Sequence, residues 1–130
     1  MADAVRAYSE EVSGETGSPL PVGTRIITWA GLDSDDSGSP YACVAHYPDK
    51  VVQITGTFDT TTIVIEGTLD TGDSPVYFTL TDPQGNAISK TAAAGEQILE
   101  NVYKIRPRVT AGGASTDLTV KLLLTTVARR

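Results

Sequence analysis

The stretch LTVKLLLTT, residues 118–126, decides the fold of this chain because its apolar side chains recur at every second position. Successive side chains of a β-strand point to opposite faces of the sheet, whereas a helix needs a spacing of about three to four residues. The stretch therefore predicts a strand with one face in the core. Its inward stripe consists of Leu118, Val120, Leu122 and Leu124.

Segments of similar character fill the chain from about residue 24 onward, and turns rich in glycine, proline, aspartate and serine separate them. About seven to eight short strands with such turns are typical of an all-β protein. We therefore predict an antiparallel β-sandwich or a jelly-roll-like barrel. We assign residues 24–130 to this β-sandwich domain, and residues 1–23 to an extended N-terminal arm and linker.

The middle of the chain predicts two local arrangements. Residues 51–58 and 62–69 have the composition of strands, and the short stretch between them predicts a hairpin. Residues 76–81 alternate in the same way, and a turn containing proline and glycine follows at residues 82–86. The residues of this third strand that we expect to face the core are Val76, Phe78 and Leu80.

The N-terminal segment, residues 2–12, lacks the alternation of the later segments. Val5, Tyr8 and Val12 instead fall roughly on one side of a short helix. A helix of this length is marginal in water unless it packs on another surface. We therefore predict a short helix at the start of the arm, stabilised by whatever it contacts.

The stretch YKIRPRVT, residues 103–110, places three cations and a proline inside an alternating segment. Because Pro107 has no N–H to donate to a sheet ladder, it predicts that this strand lies at a sheet edge or contains a bulge. Strand alternation gives the segment one apolar face and one cationic face. The apolar face comprises Tyr103, Ile105, Pro107 and Val109, and the cationic face comprises Lys104, Arg106 and Arg108.

The net charge of -6 is unevenly distributed along the 130 residues. Residues 1–49 carry eight acids against two arginines, whereas residues 101–130 carry six cations against one acid. The two ends could attract one another between subunits, or a closed sandwich could place them side by side. The sequence pI of about 4.6 argues against a nucleic-acid partner.

The compartment is indicated by segments that the sequence lacks. No apolar run approaches the roughly 20 residues that span a bilayer, so we expect no membrane partner. The N-terminus has neither the basic start nor the apolar block of a secretory signal. The single cysteine, Cys43, excludes an internal disulfide and fits a reducing compartment.

Candidate chemical sites are few. Cys43 and His46 lie three residues apart, but a structural zinc site needs about four such ligands and the chain has one cysteine and one histidine. We therefore expect no zinc site here, and we expect Cys43 to be a small, half-buried apolar residue. Residues 33–38 resemble the first half of a calcium loop, yet Val44 stands where a closing glutamate is needed. A solvated acidic turn is the simpler interpretation.

Paired carboxylates are the last chemical possibility that the sequence offers, in Glu66 and Glu96. Isolated acids on strands usually face solvent, and the sequence alone does not bring these two together. There is no glycine-rich phosphate loop, no nucleophile elbow and no second histidine. We therefore expect no catalytic residue, no metal and no cofactor, and we expect that the protein is not an enzyme.

The ordered series of β-type phrases resembles small structural proteins of tailed bacteriophages that decorate or cement the icosahedral head. Each phrase is ordinary strand or turn chemistry, and the resemblance comes from their order over residues 24–130. The first twenty-odd residues and residues 33–47 have no counterpart in it. The phrases are residues 24–32, 51–58, 64–67, 80–86 and 105–110, and the leucine-rich final strand.

The resemblance implies a non-enzymatic virion protein, made in the host cytoplasm and bound to the capsid surface. Proteins of this kind are β-sandwiches or jelly rolls, commonly homotrimers, that bridge neighbouring copies of the major capsid protein. The expected partners are therefore the major capsid protein and further copies of this chain. Multivalent attachment would make modest interfaces tight overall.

The resemblance also suggests a role for the cationic face and the arm. Arg106, Pro107 and Arg108 could simply blunt an exposed edge strand, or the cationic row could contact acids on a neighbouring subunit or on the capsid. The predicted subunit or capsid contacts are Lys104, Arg106, Pro107, Arg108, Val5, Tyr8 and Val12.

Two other functions remain open at this point. A tail or neck component of the virion would use the same kind of sandwich with a different symmetry. A small carbohydrate-binding or adhesion module would need an exposed aromatic face. That face would be built from Trp29, Tyr41, Tyr47 and Tyr77.

Overall fold

The computed structural model describes Val5 and residues 7–12, 24–43 and 49–125, and within these ranges it contains ten strands and no helix. The chain is an all-β antiparallel sandwich, as the sequence predicts. The strands are β1 (Tyr8–Val12), β2 (Thr24–Leu32), β3 (Tyr41–Ala42), β4 (Lys50–Thr57), β5 (Thr62–Thr68), β6 (Phe78–Thr79), β7 (Ser89–Lys90), β8 (Ala94–Ile98), β9 (Lys104–Thr110) and β10 (Asp117–Thr125).

The first sheet has the strand order β1-β2-β10-β4-β8, with β10 at its centre. Leu122 lies opposite Ile27 on one side and Val52 on the other, so the leucine-rich strand pairs along most of its length with two partners. The predicted inward stripe of β10 is confirmed, because all four of its side chains are 0% exposed. This stripe forms the middle of the core.

The second sheet has the order β3-β9-β5-β6, and β7 also pairs with β5. The predicted alternation of β9 is confirmed. Three of its side chains are buried in the core, and the cations between them lie on the outer face of the sheet. The buried residues are Ile105, Pro107 and Val109.

The predicted edge position of Pro107 is wrong, because β9 lies between β5 and β3. The Pro107 carbonyl accepts a hydrogen bond from the Gly38 backbone N–H at 2.9 Å. In an antiparallel strand the N–H and C=O of one residue point to the same side. The missing N–H therefore faces the loop before β3, and the ladder between β9 and β5 loses no donor.

The predicted hairpin between residues 51–58 and 62–69 is also wrong, although both strands exist. β4 belongs to the first sheet and β5 to the second, so the turn between them crosses from one sheet to the other. Asp59 and Thr60 have φ values of 39° and 61°, in the left-handed region. The Thr61 N–H closes the turn on the Phe58 carbonyl at 2.8 Å.

The predicted helix in residues 2–12 is wrong over residues 8–12, because Tyr8–Val12 forms β1 and pairs with β2 from Tyr8 opposite Thr28 to Val12 opposite Thr24. Residues 2–4 and 6 of that prediction lie outside the described residues. The edge of β2 provides backbone hydrogen-bond partners along five residues. An isolated short helix is less stable than a strand paired in this way. Val5 forms a β-bridge with Gly38 in the loop before β3, and its N–H donates to the Ser37 carbonyl at 2.8 Å. The segment thus closes one side of the sandwich.

The segment of residues 76–81 is only partly as predicted. Leu80 is fully buried, but Val76 and Phe78 are 75% and 43% exposed. β6 is the last strand of its sheet and pairs with β5 through two residues, so the core covers this segment at Leu80 alone. The predicted turn after it is confirmed, because the Asp82 carboxylate accepts backbone N–H groups from Gln84 and Asn86, both at 3.0 Å.

Candidate interaction surfaces

Cys43 is buried rather than half-buried, at 2% exposure. Its Sγ donates to the Val102 carbonyl at 3.2 Å, and burial raises the pKa of the thiol. Burial also lowers the pKa of the nearby Lys50 ammonium. A protonated, inaccessible thiol is a packing group and not a nucleophile. His46, its partner in the sequence prediction, lies outside the described residues.

Two carboxylates of the acidic loop of residues 33–38 accept hydrogen bonds from backbone N–H groups, one within the loop and one outside it. Asp36 is buried, and its Oδ2 accepts the Asp33 N–H at 2.8 Å. The Asp35 Oδ1 accepts the Ala111 N–H at 3.1 Å, which ties the loop to the end of β9. Among the described residues no group of three or more histidine, cysteine, aspartate or glutamate side chains is placed to hold a metal ion.

Glu66 and Glu96 do not form a pair of carboxylates. Glu66 lies on β5 in the second sheet, and Glu96 lies on β8 in the first. Glu96 instead accepts from Lys90 Nζ at 2.7 Å. Glu66 is 4% exposed and is shared by two arginines of the neighbouring strand β9.

The outer face of the second sheet holds these two arginines in a defined arrangement. Arg106 Nε donates to Glu66 Oε1 at 2.8 Å, and Arg108 Nε donates to Oε2 at 3.1 Å. The strand register places Glu66 directly opposite Arg106, with Arg108 next along the same face. The side chains of Arg106 and Arg108 remain 26% and 41% exposed. We call this cluster, with Lys104 and Tyr77, the arginine face.

Aromatic rings hold two of the cations on this face. The Arg106 Cζ lies 3.8 Å from the centre of the Tyr77 ring, and the Lys104 Nζ lies 5.4 Å from that of Tyr103. Burial raises the pKa of the Tyr77 hydroxyl, and the Arg106 charge opposes that shift. Stacking on an aromatic ring restricts the orientation of a guanidinium plane.

Sequence reasoning identified the three cations but not Glu66 or Tyr77 as their partners. The signal for Glu66 was present in the register: with β5 beside β9 in antiparallel order, an outward glutamate must face an outward arginine. This contact could not be predicted, because the order of the strands in the sheet cannot be derived from the sequence alone. Tyr77 precedes the two-residue strand β6 and has no local signal for its ring contact.

The outer face of the first sheet offers a different surface. Side chains from β2, β4 and β10 surround a shallow depression of about 270 Å³. Its walls are mainly apolar, with one exposed cation, Lys121, at the centre of the sheet. We call this the apolar depression. Its lining residues are Ile26, Val51, Gln53, Lys121 and Leu123.

The predicted contact residues therefore lie in several different parts of the molecule. Lys104, Arg106 and Arg108 share the arginine face, whereas Pro107 points into the core. Tyr8 and Val12 are in β1 at the edge of the first sheet. Val5 packs against the core beside the loop before β3.

The aromatic platform that a carbohydrate-binding module would need is not formed by the described residues. Trp29 is 1% exposed, and its Nε1 donates to the Ser39 carbonyl at 2.8 Å. Tyr41 packs against the core, and Tyr77 lies over Arg106. Tyr47 is outside the described residues. No helix among the described residues is long and apolar enough to cross a membrane.

Comparison with known proteins supports the fold. No protein-family model matches the sequence, and no curated protein matches it. Among solved structures, the chain is similar to the crystal structure of the SPBc2 prophage-derived protein YomS, with a TM-score of 0.57 at 14% sequence identity. The similarity covers 81% of this chain and 96% of the YomS chain. The two proteins therefore share a fold over nearly the whole of the smaller one.

Proposed function

We propose that this chain is a structural protein of a tailed-phage virion, which binds the outer surface of the capsid and stabilises it by bridging capsomers. One observation carries the proposal. The chain shares its fold, over most of its length, with a protein derived from a prophage. The ordered β-type phrases of the sequence resemble head-decorating proteins independently of that similarity.

The surfaces of the sandwich are compatible with such a role. The side chains of the inner faces fill one core, and parts of both outer faces remain exposed. One outer face carries the arginine face and the other carries the apolar depression. A module with different chemistry on opposite sides is suited to bridging, because it can contact two neighbours at once.

We further propose that the protein acts as a homotrimer at local three-fold positions of the shell. Symmetry repeats each favourable contact in every subunit, so an interface that is modest for one chain becomes tight for the assembly. The major capsid protein is then the main partner. The protein would need no cofactor, because its work is to add contacts that oppose the pressure of packaged DNA.

Co-sedimentation with expanded, empty heads tests this function, followed by quantification of copies per particle. A decoration protein should bind heads and saturate at a copy number on the order of hundreds, since an icosahedral shell repeats its local three-fold positions. Saturation at about a dozen copies would instead indicate a ring at the neck or tail. Failure to bind any part of the particle would overturn the proposal.

The arm can be examined in the same assay. β1 lies at the edge of the first sheet and pairs only with β2, so a chain that lacks the first 12 residues keeps the central strand β10 and both of its partners, β2 and β4. We expect the truncated chain to remain folded and to bind heads more weakly. Unchanged occupancy on heads would show that the arm makes no capsid contact.

A further inference from the structure

The arginine face is the part of the molecule whose geometry most narrowly defines a ligand. We propose that it is a docking site for a carboxylate-bearing segment of the capsid partner, with Glu66 acting as the positioning residue that holds two guanidinium groups side by side. The inference rests on the proposed function and names the chemistry of the contact that attaches the protein.

The hydrogen-bond donors on this face are only partly used. A guanidinium carries five N–H donors, and each of Arg106 and Arg108 gives its Nε–H to Glu66. Within residues 24–43 and 49–125, no other acceptor is hydrogen-bonded to either group. Glu66 therefore leaves the terminal nitrogens of both arginines without a hydrogen-bond acceptor among these residues, on side chains that are 26% and 41% exposed.

The arrangement is ordered before any partner arrives. Glu66 is 4% exposed and fixes both Nε atoms, and the Tyr77 ring covers Arg106 at 3.8 Å. Two long side chains that would otherwise lose rotamer freedom on binding have already lost it in the free protein. Terminal guanidinium nitrogens form paired hydrogen bonds with a carboxylate or a phosphate, so the geometry fits a partner that carries one of these anions.

Charge selects the same class of partner. Glu66 neutralises only one of the two arginines, and Lys104 adds a further positive charge on the same face. The face is thus locally cationic on a chain of net charge -6. A nucleic acid would be repelled by the negative charge of the remainder of the molecule. A short acidic segment of a different protein can bind the cationic face without approaching the negatively charged remainder of the molecule.

A charge-conserving variant separates recognition by the guanidinium shape from simple attraction. Arg106→Lys combined with Arg108→Lys keeps two cations beside Glu66 but removes the planar donor pairs. The triple variant Glu66→Gln, Arg106→Gln, Arg108→Gln removes the cluster without leaving an unpaired charge. Lys121→Gln, on the other sheet, is the matched control for loss of a surface cation.

The probe is a fluorescein-labelled oligo-glutamate peptide, titrated by fluorescence anisotropy at low and moderate salt. We expect the double lysine variant to bind the peptide about tenfold more weakly, as the loss of one charge-assisted hydrogen bond predicts, and the triple variant to lose binding. The Lys121→Gln control should bind like the unmodified protein. Near-UV circular dichroism verifies that each variant is folded.

Three results would overturn the inference: no peptide binding by the unmodified protein, equal binding by the double lysine variant, or a preference for a duplex DNA of matched charge. The same variants are then used with expanded heads. Peptide binding without head binding would reject the proposed function and leave the arginine face intact as a docking site for acidic segments. Head binding that the double lysine variant retains in full would reject the docking site and leave the proposed function intact.

Discussion

β10 and β9 are each paired on both sides in their sheets and alternate in the same way, yet they use their outer faces differently. Beyond the buried stripe of β10, Lys121 points to solvent on the outer face. On β9, Arg106 and Arg108 are instead held by Glu66, a buried acid on the next strand. Alternation therefore sets the side of the sheet on which a residue lies, whereas strand order sets what that residue contacts.

The largest loss of stability should come from a substitution on the inner face of β10. We expect Leu122→Ala to lower the free energy of unfolding by about 2–5 kcal/mol, because Leu122 is 0% exposed and its loss leaves a cavity between the sheets. Lys121→Ala, one residue away on the outer face, should change it by less than about 0.5 kcal/mol. Urea denaturation of both variants measures the difference. Similar costs at the two positions would show that β10 is not buried on one side.

The contact between β9 and the loop before β3 should come next in size. An added Cβ at Gly38 would lie 2.6 Å from Trp29 Cδ1 and 2.7 Å from Pro107 Cδ, so the side chains or the loop must move. We expect Gly38→Ala to cost about 1–3 kcal/mol. Gly72→Ala is the control, since no atom lies within 4 Å of its added Cβ.

Thermal unfolding of the two glycine variants gives the measurement. A Gly38→Ala protein as stable as the Gly72→Ala control would mean that the loop does not cover Pro107 closely. The edge of β9 that faces away from β5 would then be less closely covered than the hydrogen bond from Gly38 to Pro107 indicates.

Removal of the acid on the outer face should have a smaller effect. We expect Glu66→Gln to cost about 1–2 kcal/mol, since it leaves two neighbouring cations without their counter-ion but in contact with water. Arg108 is 41% exposed, which keeps the cost below that of a fully buried pair. The triple glutamine variant should regain most of the loss, because no charge is then left unpaired. A triple variant less stable than Glu66→Gln alone would show that the arginines contribute mainly through packing.

The same distinction explains what could be predicted from the sequence. The buried stripe of β10 and the two faces of β9 follow from local alternation, so they were predicted correctly. The hairpin at Asp59 was wrong because a short turn can join two strands of one sheet or cross between sheets, and the local sequence permits both. The helix in residues 2–12 was wrong because the edge of β2, distant in sequence, supplies the partner.

The candidate surface was predictable to the same extent. The cationic row was found because it lies on one strand, in Lys104, Arg106 and Arg108. Its organisation depends on Glu66, roughly forty positions earlier in the chain, and on the ring of Tyr77. No local pattern connects these positions. The charge of the face was therefore accessible from the sequence, whereas the arrangement that favours a carboxylate was not.

The smallest predicted effect concerns Glu100. This carboxylate links segments of the two sheets, whereas Glu66 links two strands of the same sheet. Its side chain accepts the backbone N–H and the hydroxyl of Thr81, the N–H at 2.8 Å. Partial burial, the largest single influence, raises the pKa of Glu100, but the hydrogen bonds from Thr81 and from the Glu100 backbone together outweigh it and lower the pKa below its ordinary value of 4.5. The unfolded chain therefore binds more protons than the folded chain between the two pKa values.

This carboxylate should add stability that is fully present above pH 4.5 and is lost as the pH falls through the lower, folded pKa. Glu100→Gln should remove that component, so its loss of stability relative to the unmodified protein should be larger at neutral pH than in acid. Urea unfolding at both pH values measures it, and Glu96→Gln, whose acid contacts Lys90, is the control. A cost of Glu100→Gln that does not change with pH would mean that the hydrogen bonds from Thr81 do not favour the charged form. The link between the sheets would then rest on the backbone hydrogen bond from Leu99 to Thr81.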